Sequence, residues 1–454
     1  MSQGNFVIGY LNRGYFVQTG GSFVLTNAVG SSAQPQVSIG SGNGYGGSLC
    51  VFGGTFDVGA GRTSVNTSGS RDANPFSTVS VAGPTAYLNF GADANCPGNS
   101  DTAVTLFTMC GGGRMRTRGF YKGNTNSTLI VNFNNGTFVP TQNGNDGAQD
   151  VFHNYRTYST YANRQVDHII VCPGGMTIDT DGKTGVYTYQ VLEGATGGGV
   201  SGVLSTPIHN IGVAPVVRIY GDGYGAVGVA DFDSVSNVVK GVKILAPGVG
   251  YTYATASLFL DRAVLVSYDC TIAENVNTGG FTKKGEGSFI LYATNTWGGA
   301  TSVAGGTLKA GCDWAVPPGT DLVLSDGGVM DFNGKTGEVA SVTYGAGGGS
   351  ISNAALVKMP NSASITISVD DLLAGKKVPF AGDVNLDALD VTLTGDLGKL
   401  VESDRRYTLI EAGGTLSGSI NVVTEEPLPD FWSFKIRGSR LQLVFSKGTV
   451  LIVL

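Results

Sequence analysis

Two pairs of carboxylates stand at the spacing that places side chains on one side of a strand: Asp179 with Asp181, and Asp231 with Asp233. Residues two apart in a strand point the same way. Converging carboxylates are what glycoside hydrolysis needs, and aspartates with a nearby base serve calcium-assisted cleavage of polysaccharides. The local sequence points elsewhere. Asp179-Thr-Asp181-Gly182 has the composition of a tight turn and lacks the later acidic ligands of a calcium loop. Asp231-Phe-Asp233 reads as a solvated strand face beside a glycine-rich bend. The histidines His153, His168 and His209 show no partner spacing, and neither a Gly-x-Ser-x-Gly elbow nor a phosphate loop is present. Tyr155, Tyr158 and Tyr161, with Arg156 and Arg164, have the chemistry to stack on sugar rings, but they equally suit a loop or short helix that caps a stack of coils. The reading is therefore of no catalytic residue, no metal ligand set and no cofactor, with binding residues unassigned.

Whatever positions these groups is not helical. Of 454 residues 71 are glycine, and glycine costs about 1 kcal/mol at each helix-interior position. Disorder is excluded as well, because 41% of the chain is apolar and 9% aromatic. Charged residues make up only 14%, the net charge is −6, and no basic stripe offers a footprint for nucleic acid. No stretch approaches the roughly 18 apolar residues of a membrane span. Six cysteines (Cys50, Cys96, Cys110, Cys172, Cys270, Cys312) are widely spaced without a Cys-x-x-Cys pair, so buried free thiols are favoured over disulfides or zinc.

Repetition is the strongest signal. An alternating strand, a glycine corner and a second strand recur at Phe16-Val-Gln-Thr-Gly-Gly-Ser-Phe-Val-Leu25 and Cys50-Val-Phe-Gly-Gly-Thr-Phe-Asp-Val-Gly59. Looser copies lie at 107–116 and 130–139. A shorter phrase, at Val7-Ile-Gly9, Val37-Ser-Ile-Gly40 and Leu88-Asn-Phe-Gly91, precedes the first three. Such a unit cannot bury its own apolar face, and stacking successive copies does so, which is the logic of a solenoid. Residues 215–265 break the pattern and read as a small all-β insert. Only 369–374 offers a helix start, through Asp370 and Asp371.

At 280–308 the sequence becomes specific. Lys283 or Lys284 is followed by Gly285 and Gly287, then by the alternating Phe289 and Leu291. Asn295, Thr296, Trp297 and Gly299 form a turn, Thr301 and Val303 a strand, and Gly305-Gly-Thr-Leu308 the close. This resembles the passenger-associated transport repeat of bacterial autotransporters. Weaker echoes lie at 18–25 with 37–40, at 174–182, and at 407–418 followed by 428–444. The resemblance implies a right-handed parallel β-helix, export, and a role at or beyond the cell surface.

Residues 309–454 lack the alternation of outer-membrane barrel strands. The expectation is thus a passenger-like region with no exporter of its own, or one that uses another secretion route, with its leader removed. Five segments follow: Gly-rich solenoid repeats at 1–150, solenoid with the Tyr-rich loop at 151–214, the insert at 215–265, solenoid with the transport repeat at 266–360, and a C-terminal β segment or cap at 361–454. The function expected is that of a non-enzymatic extracellular or surface protein, an adhesin or rigid β-helical rod that displays loops. Its expected partners are copies of itself, in an oligomer or fibre, and cell-surface glycans or host and matrix polymers. The competing reading is a carbohydrate-active β-helix enzyme, a polysaccharide lyase, glycosidase or tailspike-like depolymerase.

Overall fold

A computed structural model of the chain describes residues 5–446, apart from 10–11, 26–35, 41–45, 60–61, 66–74, 92–93, 97–101, 145–149, 153–163, 354–355, 359–363, 376, 381–382, 387–388, 401–405 and 425–426. It is nearly all β and forms two compact units, 1–282 with 295–299 and 283–294 with 300–454.

In the first unit the chain visits three sheets in turn. Asn5–Ile8, Gly14–Gln18 and Ser22–Val24 begin the first, second and third sheets. Gln36–Ile39, Gly47–Val51 and Gly54–Asp57 then pair with them in parallel, each on its own sheet. The circuit repeats through Arg62–Val65, Phe76–Ala82 and Ala86–Phe90, and again through Ala94–Cys96, Val104–Cys110 and Arg114–Thr117. Phe120–Lys122, Thr128–Asn134 and Gly136–Pro140 add a further coil. This is the parallel β-helix expected, and parallel crossovers favour the right-handed sense.

Register explains why these sequences stack. Phe16, Leu49, Val79, Phe107, Val131, Ile169 and Leu192 are successive partners down the second sheet and point inward. Phe23, Phe56, Leu88, Met115, Phe138 and Ile178 do the same down the third. Fully burying one such side chain stabilises by about 1.5–3 kcal/mol, a gain that exists only once the neighbouring coil is in place. The recurring glycine phrase is the corner between the second and third sheets. At Gly54 φ is +73°, and a Cβ would lie 2.1 Å from the Gly21 carbonyl oxygen of the preceding coil. Asn135 turns a later corner at φ +62°, a conformation asparagine tolerates. The shorter phrase divides: Val7–Gly9 and Val37–Gly40 belong to the first sheet, whereas Leu88–Gly91 belongs to the third.

The second sheet is buried on its outer side too, with Leu106, Cys110 and Ile130 beside Ser80, Thr108 and Asn132. Its strand Val104–Cys110 is buried almost throughout, the signature of a strand covered on both faces. The cover is an antiparallel insert whose strands run between 198 and 274. Val216–Gly221, Ala254–Leu260, Ala263–Glu274 and Gly198–Val203 form one of its sheets, and Val227–Asp233, Val238–Ala246 and Ile208–His209 the other. Val227, Val229, Leu245 and Val249 of the insert pack on Phe76, Leu106, Cys110, Ile130 and Cys172 of the β-helix. Asn132 Nδ2 donates to the Gly225 carbonyl and Asn134 Nδ2 to that of Leu245, each at 3.0 Å.

The second unit is again coiled. Thr301–Ala304, Thr320–Ser325, Thr336–Tyr344, Ser364–Ser368, Leu389–Thr394 and Ile420–Thr424 pair in parallel, one after the next. Ser288–Leu291, Thr307–Ala310, Gly328–Asp331 and Gly349–Ser352 form a second parallel sheet. The expected helix is Val369–Leu373, whose N-cap Ser368 accepts from the Asp371 amide at 3.1 Å. Towards the end, Arg406–Ala412, Arg440–Phe445 and Trp432–Arg437 turn antiparallel.

Candidate functional site

The carboxylate pairs do not converge. Asp179 Oδ1 accepts the amide of Asp181, and φ is positive at both Asp181 and Gly182, so this is the tight turn anticipated. Asp179 Oδ2 lies 3.1 Å from Arg114 Nη2. Asp233 caps its own turn by accepting the amides of Val235 and Ser236, and it pairs with Lys240 at 3.1 Å. Lys240, then the Ser236 amide, hold its carboxyl well below the usual range. Asp231 stays exposed, and a bulge after it ends the strict alternation that the pair required. His168 is engaged: Nδ1 lies 3.1 Å from Glu193 Oε1, and the ring stacks on Tyr224 with centroids 4.1 Å apart. His209 is exposed at a strand end. His153, Tyr155, Arg156, Tyr158 and Tyr161 lie outside the described residues. No cluster of three potential metal ligands occurs among the described residues.

The outer side of the third sheet in the first unit carries a ladder that no single stretch of sequence reveals. Thr55, Tyr87, Arg114, Thr137 and Thr177 are successive partners, one per coil. Beside them runs a second column of Asp57, Asn89 and Arg116. Asn89 Nδ2 donates to Asp57 Oδ1 at 2.7 Å, and the Gly59 amide donates to the same oxygen. Tyr87 stands in the middle, half-buried. Burial raises its phenol pKa, Arg116 opposes that, and Asp57 adds to it. An aromatic face, two guanidinium groups, threonine hydroxyls and a carboxylate held by the buried Asn89 carboxamide thus follow one another at the coil spacing of about 4.8 Å. Parallel stacking brings together residues some thirty positions apart, which is why sequence reading missed the ladder.

The transport-repeat motif serves the fold. In the second unit Lys283, not Lys284, is its working lysine. The side chain is fully buried and donates to the carbonyls of Gly305, at 3.0 Å, and Gly285. In the first unit Asn295 Oδ1 accepts the Leu192 amide at 2.7 Å, and Trp297 stacks on Phe281 with centroids 4.9 Å apart. Described cysteines are free thiols, with Cys50, Cys110 and Cys172 buried under the insert.

No protein-family model matches the chain. Over 95 residues, 20% of the chain, it is 38% identical to the adhesin BmaC autotransporter of Brucella suis biovar 1 (strain 1330). The match spans 3% of that relative's length. Among solved structures, the Hap adhesin of Haemophilus influenzae aligns with 97% of this chain and 58% of its own, at 10% identity and a TM-score of 0.19. The fold itself rests on strand pairing. Coiled parallel sheets, the 280–308 motif and the BmaC segment together make this an autotransporter-passenger-like protein.

Proposed function

We propose that the chain is a non-enzymatic part of a bacterial surface adhesin, exposed outside the cell, which meets an extended polymer through the outer side of the third sheet. One observation carries this reading. The insert covers the second sheet, while the third displays the Tyr87–Arg114 ladder with its polar groups outward. A cell-surface glycan or matrix polymer running across the coils would meet a new set of side chains every ~4.8 Å. Aromatic faces and arginine supply contact at little entropic cost. The BmaC relative is named an adhesin, which supports the same class. Self-association belongs to the reading as well, since stacked coils present strand edges.

The test is to immobilise glycans and matrix polymers, measure binding of the purified chain, and repeat with Tyr87→Ala and Arg114→Ala. Binding that falls at least tenfold in both variants supports the proposal. Binding unchanged in both, or any shortening of a polymer on size-exclusion chromatography with light scattering, overturns it.

A further inference from the structure

A recess lies on a different sheet from the ladder. The insert covers the outer side of the second sheet and reaches its first two coils, where Arg262 Nε donates to Asn12 Oδ1 at 2.8 Å and Cys50 is buried, but it leaves an opening over them. There the outward residues Tyr15, Val17 and Phe52 floor a groove of about 620 Å³ between the β-helix and the insert. That volume falls within the range of small-ligand sites. The floor is apolar yet reachable: Val17 is 38% exposed, and Val213 on the opposite wall 64%. It is also held in place, because Tyr15 and Phe52 pack against the buried cluster that contains Cys50. The rim is charged. Lys243 pairs across the hairpin with Val229, and Asp231 follows Val229 by two residues on the same strand. Val229 packs on the β-helix, so all three share the side that faces the groove. Neither Asp231 nor Lys243 forms a salt bridge among the described residues.

We propose that this groove binds a sugar residue of a glycan. A pyranose has a C–H face and a rim of hydroxyls, which matches an apolar floor beneath a carboxylate and an ammonium. Asp231 accepts from a pair of adjacent hydroxyls. Lys243 donates to a ring or hydroxyl oxygen, or to the carboxylate of a uronic acid. Tyr15 and Phe52 lie beneath the C–H face. The site is separate from the Tyr87–Arg114 ladder and does not depend on it.

The experiment uses the full chain against a panel of neutral and uronic-acid disaccharides, with saturation-transfer NMR as the readout and titration for affinity. At least one disaccharide binds, and Asp231→Asn and Lys243→Met each weaken it at least tenfold with an unchanged circular dichroism spectrum. Val17→Trp, which fills the floor, abolishes the signal. Arg114→Ala, on the other sheet, leaves it intact. Failure of every disaccharide to bind overturns the proposal, as does binding insensitive to Asp231→Asn and Lys243→Met. Loss only in Arg114→Ala overturns it while leaving the adhesive face standing.

Discussion

The ammonium of Lys283 lies 3.0 Å from the carbonyl oxygen of Gly305, a residue 22 positions further along the chain. It fastens one glycine corner of the second unit to the next, where no side chain of the corners themselves could reach. Removing it takes the donor from the buried carbonyl of Gly305 and a donor from the half-buried carbonyl of Gly285, and an unpaired buried polar group costs about 1–3 kcal/mol. Lys283→Ala is therefore expected to lose about 2–5 kcal/mol in urea denaturation, and the exposed neighbour Lys284→Ala no more than about 0.5 kcal/mol. Equal losses in the two variants would refute the assignment.

Coil stacking makes an interior prediction that the surface ladder does not share. Phe107 is fully buried between Val79 and Val131, with its ring 5.0 Å from that of Phe120. Phe107→Ala is expected to cost about 3–5 kcal/mol, in the range of large-to-small core changes. Arg114→Ala, which breaks only a partly exposed ion pair, should stay within about 1 kcal/mol. Thermal denaturation of the two side by side decides the point.

The insert carries an acid-sensitive latch. Asp222 accepts from the Thr252 hydroxyl and amide and from the Tyr253 amide, and the Thr252 contacts lower its carboxyl to about 2 from 3.8. Its contribution to folding is complete above the unfolded value of 3.8 and fades as pH falls towards about 2. Protection of the Thr252 and Tyr253 amides against hydrogen exchange should fall across that window in the wild type. In Asp222→Asn the same amides should already be fast at pH 6 and show no such step.

Thiol chemistry reports on the cover. Burial pushes Cys50 and Cys110 up to about 11 and Cys172 to about 12, so all three should resist iodoacetamide at pH 8 in the folded chain. Val229→Asp places a carboxylate in the interface between insert and β-helix. Mass spectrometry should then find Cys110 and Cys172 alkylated several-fold faster. Unchanged protection would show that the thiols do not depend on the insert.

How much of this was legible depends on the distance over which the information is encoded. The corners were visible because Gly20-Gly21 and Gly53-Gly54 are local, and a local positive φ selects its residue type. The helix at 369–373 was visible through its acidic first turn. The existence of an insert was legible as a change of texture. Its seat on the second sheet was not, since Val229 and Cys110 meet only after both have folded. The Tyr87–Arg114 ladder needs the register of whole coils, which loops of unequal length hide. Between Lys283 and Lys284 sequence could not choose, because a strand turns adjacent side chains to opposite sides and only one of those sides is the interior. Leu88–Gly91 shows the converse hazard, a phrase that matches one sheet in its letters and lies on another.

The entry and exit of the insert lie side by side: the Asn275 amide donates to the Gly197 carbonyl at 2.8 Å, and Gly198 pairs with Glu274. A long excursion therefore leaves the β-helix and rejoins it at one point, and closing a longer or shorter one there would change the entropy only slowly. Such a port lets a lineage exchange the whole excursion without disturbing the coils. The exchange is not free of conditions, because Leu106, Cys110, Ile130 and Cys172 would be bared by any replacement that lacked an apolar underside. Variation at this position should thus be wide in length and in outward residues, and narrow in the few side chains that press on the sheet below.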